Sequence, residues 1–277
     1  MNNLAFSWNL LNDFAVMWQY DFMRHAFEAG TIVAIVAGII GYFVVIRRSS
    51  FAAHTLSHVG FTGAAGAVLV GVSPIFGLFA FTSVGAILIG VLGRRAASRD
   101  VQIGVVLAFL LGVGVLFISL YQGYATEAYS LLFGEILGIS SGDVLTTLIA
   151  GVLVAIIFGV MYRPLLFTSL DEEIAEGKGV PVFGINLAFI LLIAAATSIA
   201  VQVVGVLLIF ALMVTPAAIA ARLARRPTDG ILISIGIALL ATWVSLFVSF
   251  YLPYPVSFFI TAITFGFYVV VRLFPAV

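Results

Sequence analysis

Long apolar runs dominate the chain, interrupted by short polar clusters such as "RRSS" at 47–50 and "LARRPTDG" at 223–230. The runs cover roughly residues 27–46, 51–72, 76–92, 101–121, 144–162, 181–199, 201–221, 231–251 and 256–273. As a helix, each is long enough to cross about 30 Å of hydrocarbon. The pattern predicts an all-α polytopic membrane protein with nine spans, or eight if the two runs that meet near residue 200 form one helix. Two stretches fall outside it. Residues 1–26 interleave Trp, Phe and Leu with Asn, Asp and Gln, with neither a basic leader nor a small-residue cleavage site. This predicts an extracytoplasmic amphipathic segment lying at the interface, ahead of a transmembrane domain over 27–277. The stretch "ATEAYSLLFGEILGISSGD" at 125–143 is too short and polar to span, and reads as a surface or partly embedded helix.

Composition agrees with the pattern: of 277 residues 63% are hydrophobic and 9% charged, with a mean hydropathy of +1.26. No soluble core hides that much apolar surface. The net charge of zero lacks the clustered basic footprint that a nucleic-acid partner requires. Cysteine is absent, which removes thiolate metal sites and thiol nucleophiles. The placement of charge sets an orientation. With the amino terminus outside, eleven of the 12 basic residues fall on the cytoplasmic side, including Arg47, Arg48, Lys178, Arg222 and Arg272, and only Arg24 lies outside. The carboxyl terminus is then inside, and a bacterial inner membrane is the expected location.

Small residues are frequent in the spans, as in "GAAGAVLVG", and let helices approach closely in lipid. Gly60, Gly63 and Gly66, spaced by three, predict such an approach for the second span. Pro216, late in the seventh, predicts a bend where neighbours satisfy the freed carbonyl.

Ionisable groups at bilayer depth are costly and usually functional. Here they reduce to His54 and His58, four residues apart and so on one helix face. Two imidazoles in this geometry can hold a transition metal or handle protons, and an incomplete ligand set suits an ion that must leave again. Against this stands a structural role, each ring bonded across a helix interface. Both rings on one helix cannot grip opposite faces of a haem. His25 reads as an exposed surface histidine. The acids Glu28, Glu127, Glu135 and Asp143 fall at the outer ends of spans or in outer loops, where they make the mouth attractive to cations or dock a partner.

The cytoplasmic connector "RPLLFTSLDEEIAEGKGVPVFGIN" carries helix signals around 168–180: Thr168 or Ser169 as N-cap, Asp171, Glu172 and Glu173 in the first turn, Glu176 beyond them, and Gly177 or Gly179 as the stop. Other inner loops are short and basic, so a capped acidic helix here predicts docking of a cytoplasmic partner.

Taken in order, "HTLSHVGFTGAAGAVLVG", "LLFGEILGISSGD", "FTSLDEEIAEGKGVPV" and "VVGVLLIFALMVTPAAIAARLARR" resemble the permease subunits of ATP-binding-cassette importers for zinc, manganese and iron, over about residues 30–273. The resemblance implies a type II importer permease bundle, a homodimer related in fold to the vitamin B12 and siderophore importers. It also implies two cytoplasmic ATPase subunits docked at the connector helix around Leu170 to Gly179, with Asp171, Glu172, Glu173, Glu176 and Gly179 as coupling residues, and an extracytoplasmic metal-binding protein. No permanent cofactor is implied; a divalent metal ion is the cargo. The family commonly carries an acidic residue four before its second-span histidine, where this chain has His54. A neutral, softer pair tilts the expected cargo toward zinc, with manganese or iron as the alternative.

Other functions fit less well. A proton-coupled secondary metal transporter calls for acids deep in spans, and a siderophore or corrinoid permease for ten spans. No metalloprotease, serine or aspartyl signature supports an intramembrane enzyme, and no Walker motif is present, so ATP hydrolysis is expected in another chain.

Overall fold

The computed structural model describes residues 10–93, 99–120, 134 and 136–273. Its elements are α1 (Leu10–Met17), α2 (Asp21–Ile46), α3 (Ser50–Leu69), α4 (Pro74–Leu92), α5 (Arg99–Leu120), α6 (Ser141–Leu170), α7 (Glu172–Gly177), α8 (Val182–Val204), α9 (Val206–Leu223), α10 (Pro227–Tyr251) and α11 (Val256–Leu273). No strand occurs among the described residues.

Among the described residues seven helices, α2, α4, α5, α6, α8, α10 and α11, are long and apolar enough to cross a membrane. Among the described residues nine span-like helices nevertheless run through the bundle, because α3 and α9 complete it. α9 is apolar over the shorter run Leu208–Leu223. α3 holds two histidines and several Ser and Thr, and its neighbours explain why it tolerates them: α4, α5, α8 and α9 pack around it, so little of it meets hydrocarbon. The two runs near residue 200 are separate helices, divided at Gly205, whose φ of +83° is open to glycine at little cost.

α2 is the central helix, packed against α6, α8, α9 and α10. Its small residues allow the close packing. A Cβ at Gly41 would lie 2.0 Å from Met213 O, and one at Gly38 would lie 2.7 Å from the Ile235 Cα. On α3, a Cβ at Gly63 would lie 2.1 Å from Gly77 O of α4, while Gly60 faces Leu78 and Gly66 faces the Phe117 ring of α5. Polar side chains inside the bundle bond across helices: Thr62 Oγ1 donates to Leu110 O at 2.9 Å, and Thr82 and Ser198 share a hydroxyl contact of 2.7 Å. Pro216 is buried within α9, and α6 runs unbroken past Pro164.

Boundaries differ from the sequence reading in three places. α2 begins at Asp21, so its first turns lie inside the stretch read as an interfacial segment, and α1 folds back so that Met17 is fully buried. α6 continues to Leu170, which leaves a connector of a few residues around the six-residue α7. The N-cap of α7 is Asp171, whose side chain accepts the Ile174 N–H at 2.9 Å; the Thr168 and Ser169 hydroxyls bond Arg47 instead. α7 stops in a Schellman motif. Val180 N–H donates to Ala175 O and Gly179 N–H to Glu176 O, with Gly179 at φ +80°. α2 ends the same way, with Ser49 N–H on Val44 O and Arg48 N–H on Val45 O. Here Arg48 takes the left-handed position at φ +53°, the one non-glycine residue with positive φ among those described. That conformation costs a side-chain-bearing residue about 1–2 kcal/mol.

Candidate functional site

The first turns of α3 place the histidines. From Phe51 to Ala65, only Phe51, His54, His58 and Phe61 escape full burial, a stripe with the i, i+3, i+7 spacing of one helix face. The two imidazoles meet edge to face, with centroids 4.6 Å apart. Phe210 of α9 packs its ring edge to face on His54 at 4.9 Å. Beside this stripe α9 presents its own half-covered positions, Phe210, Ala211, Val214, Thr215 and Ala218, while the intervening Leu212, Met213, Pro216 and Ala217 are buried. The imidazoles therefore lie on a face that this chain's helices leave half open. His54 Nδ1 is buried and has no hydrogen-bond partner among the described residues. No cluster of three or more His, Asp, Glu or Cys side chains with metal-holding geometry occurs among the described residues. Among the described residues, one copy thus brings two imidazoles together with no carboxylate completing a group of three.

The acids at the opposite end are dispersed. Glu127 and Glu135 lie outside the described residues. Glu28 is exposed in a groove of about 460 Å³ with Phe14, Trp18, Thr31 and Trp243. Asp143 is engaged in a capping box: its carboxylate accepts the Ser140 N–H at 3.1 Å and the Ser140 hydroxyl at 2.6 Å, and its backbone N–H donates to Ser140 Oγ. The other carboxylate oxygen accepts from Gln202 Nε2 at 3.0 Å. His25, read as exposed, is instead half-buried, with Nδ1 3.2 Å from Ile139 O, because α2 starts earlier than the apolar run suggested.

At the basic end the acidic helix has two faces. Asp171, Glu172, Glu173, Glu176 and Gly179 are exposed, and with them stand two large apolar side chains one turn apart, Leu170 at 78% exposure and Ile174 at 53%. Ala175 is fully buried against the bundle. Glu172 turns toward Arg47, with a carboxylate oxygen 3.6 Å from Nη2, and accepts from Asn186 Nδ2 at 3.3 Å. Sequence reasoning missed Leu170 and Ile174 as a pair, although their i, i+4 spacing around acids was visible. It also missed Asn186, an amide inside an apolar run.

Against known proteins, the model of the ABC 3 transport family matches residues 19–275. The chain belongs to the ABC 3 transport family. Among its relatives, the manganese transport system membrane protein MntC of Halalkalibacterium halodurans is 30% identical over 227 residues, covering 82% of this chain and 76% of that protein. The manganese import system permease protein ScaB of Streptococcus parasanguinis is 30% identical over 233 residues, covering 84% and 83%. Among solved structures, PsaBC of Streptococcus pneumoniae in complex with Fab superposes with a TM-score of 0.85 at 25% identity, over 96% of both chains. This ABC 3 chain is a multi-span permease of a metal ABC importer; it is not an enzyme, and ATP hydrolysis belongs to a separate subunit. The relatives are named for manganese, where the neutral histidine pair had pointed toward zinc.

Proposed function

We propose that this chain is the membrane path of an importer for a first-row divalent metal ion, with manganese as its cargo. The family match and the relatives named for manganese support that cargo. The half-open stripe bearing His54 and His58 carries the reading of the path: a second copy docked on it would bring two imidazole pairs face to face across a gap between the bundles. The ion enters from the extracytoplasmic side, delivered by a metal-binding protein, in a bacterial inner membrane with the amino terminus outside. It pauses at the histidines and leaves toward the basic end. ATPase subunits dock on α7, with Leu170 and Ile174 as apolar anchors and Asp171, Glu173 and Glu176 as the charged rim. Such a surface fits a partner cleft that is apolar at its centre and basic at its edge.

Zinc is the second reading, and one observation favours it: two neutral imidazoles without a neighbouring carboxylate among the described residues suit zinc better than manganese, which prefers oxygen ligands. Elemental analysis of cells starved of manganese or of zinc, with and without the transporter, separates the two. Restored manganese, lost again in His58→Ala at equal membrane abundance, is the expected result. Restored zinc alone moves the cargo to the second reading, and unchanged uptake by His58→Ala refutes the path.

A further inference from the structure

Arg47, the last residue before the α2–α3 turn, is an arginine buried at the basic end of the bundle, its side chain 7% exposed. Nη1 donates to Ser169 Oγ at 2.7 Å, Thr168 Oγ1 at 3.0 Å and Leu165 O at 3.2 Å, all in the last turns of α6. Nη2 donates to Asn186 Oδ1 of α8 and faces the Glu172 carboxylate of α7 at 3.6 Å. The guanidinium also stands over the Phe189 ring of α8, 5.5 Å from its centroid. A single fork of donors thus joins the end of α2 to α6, α7 and α8.

Two features make this more than a staple. First, Glu172, though its side chain is 58% exposed, is the acid of α7 that meets Arg47, and Asn186 bonds both Glu172 and Arg47, so the three form a closed ring of interactions. Any displacement of α7 pulls on the fork. Second, Arg47 is followed by the left-handed Arg48 and then by α3, whose His54 stands seven residues on. A rotation at the end of α2 is carried into the first turns of α3 through a tight turn of fixed hand. Lysine, with three donors on one nitrogen, cannot span the five partners that the two ends of the planar fork reach.

We propose that Arg47, positioned by Glu172 and Asn186, is the transmission contact of the transporter: it converts movement of α7 into movement of the α3 helix that carries the histidine pair. Its place in the cycle rests on the reading of α7 as the ATPase contact. Arg47 is a positioning residue and touches no cargo.

The test uses the whole transporter, permease with its ATPase, reconstituted in liposomes of bacterial lipid, with ATP hydrolysis and manganese entry measured together. In Arg47→Lys and Asn186→Ala, the ATPase is expected to co-purify at wild-type yield and to hydrolyse ATP, while metal moved per ATP falls about tenfold, within the range that residues remote from both sites exert on coupling. A transport-to-hydrolysis ratio equal to wild type in both variants overturns the proposal. A merely structural role is read separately, as a lower melting temperature with both activities falling in proportion, and that outcome also overturns it. Asn186→Ala removes a small amide and no charge, so it keeps the test decisive if Arg47→Lys does not assemble. Ile174→Arg serves as the docking control: if it still captures the ATPase, the reading of α7 fails, whatever the ratio shows.

Discussion

The tight approach between α3 and α4 sets a sharp prediction about substitution by a single methyl group. Gly63 of α3 and Gly77 of α4 oppose each other: a Cβ on Gly63 would lie 2.1 Å from Gly77 O, and one on Gly77 would lie 2.0 Å from Gly63 O. An ordinary carbon–oxygen contact is about 3.3 Å, so Gly63→Ala must part the helices by roughly 1.2 Å along that line. Both atoms belong to backbone, and no side-chain rotation relieves them. Forced separation of this size costs about 1–3 kcal/mol, to which weaker dispersion attraction along the parted seam adds. Alanine returns at most about 1 kcal/mol through helix propensity. The net expectation is a loss of about 2 kcal/mol, or a melting temperature lower by about 4–8 °C on the scale of soluble domains of similar size. Two controls share the chemistry and differ in surroundings. At Gly60 the nearest atom to a new Cβ is the mobile end of Leu78 at 3.0 Å, and at Gly104 on α5 nothing lies within 4 Å. Gly60→Ala is expected within about 1 kcal/mol of wild type, and Gly104→Ala neutral or slightly stabilised. Thermal unfolding of detergent-solubilised protein by size-exclusion fluorescence, with metal uptake in cells, reads the series. Because α3 carries His54 and His58, the shift in Gly63→Ala should lower uptake as well as stability. Equal melting temperatures for Gly63→Ala and Gly104→Ala would refute the packing argument.

Two shorter predictions concern helix ends. Arg48→Gly relieves the left-handed strain at the end of α2 and should raise stability by up to about 1 kcal/mol, read in the same melting assay; a lower melting temperature would mean that the Arg48 side chain contributes more than the strain costs. Asp143→Ala removes the capping box of α6 and the bond to Gln202, and is expected to cost about 1 kcal/mol or somewhat more, whereas an acid serving only to attract cations would leave stability unchanged and alter uptake alone.

The bundle was legible because its signal is additive. Each run of some twenty apolar residues declares a span without reference to any other. Helix ends were less legible where a run's apolar edge differs from its hydrogen-bonded edge. α2 starts at Asp21, six residues before its apolar run, and α6 ends at Leu170, eight after. Helical hydrogen bonds form in the interface as readily as in hydrocarbon, so hydropathy marks the membrane's edge and not the helix's. The histidine pair was readable because four-residue spacing fixes a face on any helix. That this face is half open, with Phe210 against it, depends on where α9 lies, and no local pattern carries that.

Carboxylates and guanidinium groups were the hardest to assign, since their role depends on a partner distant in sequence. Arg47 and Arg48 are adjacent and chemically identical, and the orientation rule counts them alike. In the fold, one is buried among α6, α7 and α8, and the other takes the strained turn. Glu172 and Glu173 are both exposed, yet Glu172 meets Arg47 and Asn186. Asp143 illustrates the opposite case. "SSGD" spells Ser140 and Asp143 at the spacing of a capping box, so its bonds with Ser140, though not the one from Gln202, were available from sequence grammar alone. A carboxylate that already accepts three hydrogen bonds has little free capacity for a passing cation. Of the acids proposed for the outer mouth, Glu28, exposed in its groove, is therefore the better placed of the described pair to meet an incoming ion or a delivering protein.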